Sequence, residues 1–212
     1  MNRRYSYKMK THRVLCLLLV LLCFSSCTTR ANDNTNDLIK SGPHYEITKD
    51  SDGTYHYRIF SADTVIADET AGNRFPNIDY LDHFWPVIRV QTSAGTNAHG
   101  CQYYDVNKKV ASKHYTFLTG YADYWDDKNG EGLFASFPHE LIHDGTTYLR
   151  IETIFDESFS VIIDKGFTMM TCDKMIFLNE KQLYVEYPLP VTDASADEQQ
   201  FKTVREVIDF RE

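Results

Sequence analysis

The chain has 212 residues and a net charge of −8, with 30 acidic against 22 basic side chains. This length suffices for one domain with a substantial hydrophobic core. An acidic surface repels phosphate backbones, so we expect no nucleic acid among the partners.

The N-terminal 26 residues have the features of a secretory signal peptide. Residues 1–13 contain basic side chains and no acidic one, and the apolar run Val14–Phe24 follows. That run is much shorter than the roughly 20 apolar residues that span a bilayer as a helix. Ser25 and Ser26 then provide small residues for cleavage. We therefore predict that residues 1–26 are removed on export.

The segment Phe24-Ser25-Ser26-Cys27 resembles the lipobox of bacterial lipoproteins, with Phe24 where Leu is more common. The resemblance implies diacylation of the Cys27 sulfur, cleavage before Cys27 and acylation of the new amine. It also implies a membrane partner, reached through the lipid on Cys27. The protein is then expected in the bacterial cell envelope, on the periplasmic face or at the cell surface.

Composition divides the remaining chain into a tether and a domain. Residues 27–42 are predicted to be the lipidated cysteine and a flexible tether, because Ala31–Asp37 offers almost nothing apolar to bury. Residues 43–212 are rich in Tyr, Phe, Val, Ile and Thr and are broken by frequent turn residues. This rhythm predicts a single antiparallel all-β domain with little helix, built as a sandwich, a barrel or a partial propeller.

Several hairpins can be placed from turn residues. Asp-Gly pairs at 52–53 and 144–145 supply the positive φ that tight hairpins need. The hairpin at 103–110 resembles those in the blades of β-propeller proteins. Residues 198–208 combine a helical spacing with a β-rich composition, and we favour a last edge strand over a helix.

Two segments are candidates for binding. Tyr124 and Trp125 lie beside a polar turn, where exposed aromatic rings could contact a glycan or an envelope protein. The loop Ser93–Gly100 resembles the Ser-Gly loop of periplasmic lysozyme inhibitors, although Ala94 separates Ser93 from Gly95 and the next tyrosine is Tyr103. That resemblance implies an inhibitor of a cell-wall lytic enzyme.

The sequence His139-Glu140-Leu141-Ile142-His143 matches the His-Glu-x-x-His signature of zinc proteases. The resemblance implies His139 and His143 as zinc ligands and Glu140 as general base. Such a site requires a helix, because i and i+4 side chains lie about 13 Å apart on a strand. Pro138 before the motif and Asp144-Gly145 after it favour a hairpin instead.

The cysteines allow one candidate disulfide. With Cys27 acylated, Cys101 and Cys172 are the only remaining pair in the mature chain. An exported compartment permits a disulfide, and two buried free thiols are the alternative.

No nucleophile elbow and no phosphate-binding loop occurs, and we predict no cofactor. The leading hypothesis is a non-enzymatic, lipid-anchored binding or interaction module outside the cytoplasm. The alternatives are a zinc-dependent hydrolase that uses His139, Glu140 and His143, and the lytic-enzyme inhibitor.

Overall fold

Short strands joined by turns make up nearly the whole of the described chain. The computed structural model describes residues 36–82, 86–93, 99–126, 128–168, 172–191 and 201–211. The first four strands are β1 (Asp37–Gly42), β2 (Tyr45–Lys49), β3 (Tyr55–Ser61) and β4 (Thr64–Gly72). The next four are β5 (Asn77–Asp82), β6 (Val87–Ser93), β7 (His99–Asp105) and β8 (Val110–Ala111). There follow β9 (Tyr115–Asp126), β10 (Glu131–Pro138), β11 (Ile142–His143), β12 (Thr146–Thr153) and β13 (Ser160–Thr168). The last three are β14 (Lys174–Asn179), β15 (Gln182–Pro190) and β16 (Phe201–Asp209).

These strands form three antiparallel sheets. The first has the order β1-β2-β3-β4, and the last has the order β14-β15-β16. Between them, a nine-stranded sheet runs β11-β12-β10-β9-β7-β6-β5, with β13 paired to β12 and β8 to β7. Among the described residues none of the sheets closes on itself, and residues 36–212 form one unit. The prediction of a single antiparallel all-β domain is therefore confirmed, but the barrel version of it is not.

Strand β9 folds the nine-stranded sheet over on itself. Its beginning pairs with β7, Cys101 opposite Tyr115, and its later part pairs with β10. A register shift against β10 separates the two parts and contains Gly120, whose φ of 43° lies in the left-handed region. A Cβ at Gly120 would also lie 3.2 Å from Cβ of Cys172. Glycine thus permits the corner that brings β10 over the face of β6 and β7.

The result is a stack of four layers, which we number by chain order: β1–β4, β5–β8, β9–β13 and β14–β16. The central strands of the inner layers pack one face forward and the other back, as period-two alternation requires. A buried apolar cluster fills the space between layers one and two, and it includes Ile47, Ile59, Ile88, Val90 and Tyr104. A second, aromatic cluster lies between layers two and three, and it includes Val87, Tyr103, Tyr115, Phe117 and Phe134. A third lies between layers three and four, and it includes Leu133, Leu149, Phe177, Leu183 and Val185.

The predicted hairpins and the last strand are present. Strands β2 and β3 flank the Asp-Gly turn at 52–53, and β11 and β12 flank the turn at 144–145. Both Asp144 and Gly145 have positive φ, as a tight hairpin turn requires. Residues 201–209 form β16 along the whole length of β15, so the strand interpretation of this segment is confirmed and the helix is not found.

The domain begins earlier than the sequence indicated. Residues 37–42, the last part of the predicted tether, form β1 and pair with β2. The side chains of β1 are almost all exposed, and Leu38 is 61% exposed. Backbone hydrogen bonds therefore hold this strand, and hydrophobic content could not have predicted it. Cys27 and the signal segment lie outside the described residues. No helix in the described part of the chain has the length and apolarity to cross a membrane.

Candidate functional site

A two-part cleft lies at one end of the layers, where β6 and β7 approach their connecting loop. One part is a pocket of about 210 Å³, lined by Phe75, Asn77, Gln91, Thr92, Ser93, His99, Gly100, Phe117 and Tyr121. The other is a groove of about 540 Å³, lined by Thr70, Ala71, Gly72, Asn73, Arg74, Thr92 and Ser93. The two hollows share Thr92 and Ser93, and we call them together the loop cleft.

The pocket takes its shape from two neighbouring aromatic surfaces. Phe75 is 46% exposed, and its ring packs edge-on against Tyr55 of layer one, with centroids 5.5 Å apart. In the second surface, the imidazole of His99 stacks on Phe117 with ring centroids 5.9 Å apart. Phe117 in turn packs on Tyr121 and belongs to the aromatic cluster between layers two and three. The exposed rings therefore stand on a rigid base.

Amide groups form the polar floor of the pocket. Asn77 on β5 is paired with Gln91 on β6, and Asn77 Nδ2 donates to Gln91 Oε1 at 2.9 Å. The same Nδ2 donates to Asp79 at 2.8 Å. On the groove side, Arg74 Nη1 donates to Ser93 Oγ at 2.8 Å. The floor is thus ordered by hydrogen bonds among its own side chains.

A partly buried ion-pair network adjoins the pocket. Arg89 on β6 donates to Asp79 at 3.1 Å and to Asp123 at 2.7 Å. Tyr103 donates its hydroxyl to the same Asp123 oxygen at 3.0 Å, and Arg89 lies over the Tyr121 ring. Burial alone would lower the pKa of Arg89, but the attraction of the Asp123 carboxylate outweighs this effect and holds the pKa above its usual value. The network joins layer two to layer three next to the pocket.

Gly100 allows the cleft floor to pack closely. A Cβ at this position would lie 2.6 Å from the His114 ring and 2.7 Å from Thr92 Oγ1. The strand register places Gly100 between Thr92 on β6 and Thr116 on β9. No larger residue fits there without displacing these neighbours.

The candidate loop residues are only partly described. Ser93 lines both parts of the loop cleft, at the end of β6. Gly95 lies outside the described residues, as does the rest of the loop up to residue 98. The lysozyme-inhibitor resemblance of this loop therefore stays a sequence-based hypothesis.

Tyr124 and Trp125 do not form one platform. As consecutive residues of β9 they point to opposite faces, and both are half-buried. Tyr124 packs against Phe177 of layer four at 6.0 Å, whereas Trp125 packs edge-on against Phe155 at 5.9 Å. The same alternation that builds the layers separates the two rings, so a flat ligand cannot cover both.

The His-Glu-x-x-His segment is not helical in the way a zinc site needs. His139–Leu141 form a single 3-10 turn, and Ile142–His143 form β11. Glu140 accepts a hydrogen bond from Arg150 at 2.6 Å. Partial burial acts against ionisation of Glu140, but hydrogen bonds from its own backbone and from Arg150 outweigh this and lower its pKa. Among the described residues no group of three or more His, Cys, Asp or Glu side chains could hold a metal.

Cys101 and Cys172 are not bonded to each other, so the candidate disulfide is not present. The fold separates them: Cys101 lies in the cluster between layers two and three, and Cys172 packs against the cluster between layers three and four. Burial raises the pKa of the Cys101 thiol to about 12 and that of Cys172 to about 11. Both thiols are therefore protonated and weakly reactive at neutral pH.

The sequence contained signals for residues that were not singled out. Arg89 is the one charge inside the apolar strand Val87–Val90, and a charge in such a run indicates a buried partner. Phe75 follows Asn73-Arg74 and precedes Pro76, so it stands in a connecting segment rather than in a strand. Binding residues commonly lie in connecting segments, so an aromatic residue there indicates a surface contact.

No family model matches the chain, and no curated protein is significantly similar to it.

Proposed function

We propose that this protein is a lipid-anchored binding module of the bacterial cell envelope that takes its ligand in the loop cleft. The lipid on Cys27 holds the module at a membrane, and residues 28–36 connect it to the layered domain. The domain presents the cleft on a rigid β scaffold, next to a loop, where binding sites of such scaffolds usually lie. This function requires no catalytic group.

The observation that carries the proposal is the pre-formed character of the cleft. Exposed rings, amide groups and hydroxyls line one concavity, and contacts with neighbouring side chains orient the Phe75 ring, the Asn77 and Gln91 amides and the Ser93 hydroxyl. Ligand sites are concave and combine apolar walls with a few fixed polar groups. Fixing these groups before binding reduces the entropy lost on association.

Incorporation of labelled palmitate tests the anchor. The full-length protein is expected to carry the label and to sediment with membranes. Cys27→Ser is expected to lose both properties. Equal labelling of the Cys27→Ser variant, or no labelling of either protein, would contradict the anchored part of the proposal.

Photocrosslinking in living cells tests the cleft. A photoreactive amino acid replaces His99, which is exposed at the pocket, or Glu180, which is exposed in the β14–β15 turn of layer four. We expect adducts at position 99 that are absent or much weaker at position 180. Equal adduct patterns at both positions would contradict ligand binding in the cleft.

A further inference from the structure

We propose that the ligand of the loop cleft is a neutral oligosaccharide, with one sugar ring in the pocket and the adjoining residues of the chain in the groove. This inference rests on the proposed function, because it names the ligand class of the same site.

The dimensions of the cleft fit a chain of small rings. The pocket holds about 210 Å³, which is below the roughly 300–1,000 Å³ of sites that enclose a drug-sized molecule. It shares the lining residues Thr92 and Ser93 with the groove of about 540 Å³. A small pocket beside a larger groove suits a linear ligand whose units are single rings.

The aromatic walls match the apolar faces of sugar rings. Phe75 keeps nearly half of its surface exposed while Tyr55 fixes its orientation. The His99 ring is held parallel to Phe117, with an angle of 24° between the planes. A flat ring held in one orientation gives large contact area with little loss of conformational freedom.

The polar groups match sugar hydroxyls. Asn77 uses its Nδ2 and Gln91 uses its Oε1 for the hydrogen bond between them. In the part of the chain that the structure describes, neither Asn77 Oδ1 nor Gln91 Nε2 has a hydrogen-bond partner. These atoms provide one acceptor and one two-proton donor on neighbouring strands. A hydroxyl group both donates and accepts, so adjacent hydroxyls can satisfy both atoms.

Charge favours a neutral ligand over an ionic one. The residues that line the pocket include no carboxylate and no lysine. Arg74 in the groove is engaged with Ser93, and the whole chain has an excess of acidic residues. A polyanion would be repelled by that excess, and a cation would find no carboxylate in the pocket wall.

The test uses the lipidated full-length protein in a non-glycosidic zwitterionic detergent. Retention on immobilised cellohexaose, maltohexaose and chitohexaose is measured for the native protein, for Phe75→Ala and for Gln91→Ala. Leu178→Ala is the matched control, because Leu178 is 53% exposed in layer four. Each variant is first checked for an unchanged melting temperature.

We expect millimolar or tighter binding to at least one oligosaccharide, weakened roughly tenfold by each cleft variant and unchanged by Leu178→Ala. Absence of binding to all three would overturn the saccharide inference, and so would binding that neither cleft variant weakens. If no oligosaccharide binds but adducts still form at position 99, the binding module stands and only the ligand class is wrong. A peptide or protein adduct at that position would identify the other class of ligand.

Discussion

The hydroxyl group of Tyr103 donates a hydrogen bond to Asp123 at 3.0 Å, although a flat sheet would hold the two residues far apart. In the register of Cys101 opposite Tyr115, Tyr103 lies opposite residue 113, so a flat sheet would place Asp123 ten residues further along β9, roughly 33 Å away at about 3.3 Å per residue. The contact exists because β9 turns back across layer two. The fold and the floor of the loop cleft therefore depend on the same corner.

Removal of the Arg89 side chain is expected to destabilise the domain strongly. Arg89→Met leaves Asp79 and Asp123 close together without their shared cation, and because Asp123 is 16% exposed whereas Asp79 is 43% exposed and partly screened by solvent, the expected cost is about 2 kcal/mol. Urea denaturation measures the loss. The matched control is Arg58→Met, whose partners Glu46 and Asp68 lie on the exposed face of layer one, where a salt bridge contributes about 0–1 kcal/mol. Equal losses of stability in the two variants would show that the Arg89 network contributes no more than an exposed salt bridge.

Substitution of the corner glycine is expected to cost about 1–3 kcal/mol of stability. Gly120→Ala must adopt a positive φ and must also press against Cys172. Gly145→Ala is the matched control, because its φ is also positive but nothing lies within 4 Å of the added Cβ. Denaturant titration should find Gly120→Ala the less stable of the two. The reverse order would contradict the close packing at the corner.

The domain is expected to lose stability at alkaline pH. Burial raises the pKa of Cys101 to about 12 from the usual 9.0, and it also raises the pKa values of Tyr103 and Tyr115. A group with a raised folded-state pKa contributes stability that is complete below its unfolded pKa and is lost as the pH rises toward the folded value. The decline therefore starts near pH 9 and approaches about 1.4 kcal/mol per pH unit for each ionising group.

Equilibrium unfolding between pH 7 and pH 11 measures this decline. In Cys101→Ala the decline should still begin near pH 9, because Cys172 also has a raised pKa, but it should be shallower than in the native protein until the buried tyrosines start to contribute near pH 10. Constant stability up to pH 11 would contradict the burial of these groups.

Zinc is expected to bind no better to the native protein than to a protein without the two histidines. His139 lies in a 3-10 turn and His143 lies in a strand, so the pair lacks the shared helical face that a zinc site of this type uses. Metal content after equilibration with zinc is measured for the native protein and for His139→Ala/His143→Ala. One equivalent of zinc in the native protein alone would contradict this prediction.

The sequence predicted those parts of the fold whose causes are local. The turns at 52–53 and 144–145 depend on Asp-Gly pairs, and the last strand depends on the β-rich run that ends at Asp209. Strand β1 was missed because its pairing uses backbone groups and leaves its side chains in solvent. The corner in β9 was missed because the sequence around it is rich in β-forming residues, and Gly120 is the one turn residue within residues 118–120.

The candidate site was predicted only in part, because it is assembled from segments far apart in the chain. Ser93 was selected from its loop, and it does line the cleft. Phe75 and Tyr121 reach the same pocket only after layers two and three have folded together. Tyr124 and Trp125 were selected as a pair, although strand alternation could already have indicated that they point to opposite faces.

The most direct test of a ligand in the loop cleft is the dependence of the position-99 crosslink on Phe75. Crosslinking is carried out in cells with the lipidated protein, once with Phe75 intact and once with Phe75→Ala. We predict that the adducts seen with the native phenylalanine are largely lost in Phe75→Ala, while the amount of membrane-bound protein is unchanged. Adducts of equal identity and yield in both proteins would contradict the cleft as the binding site.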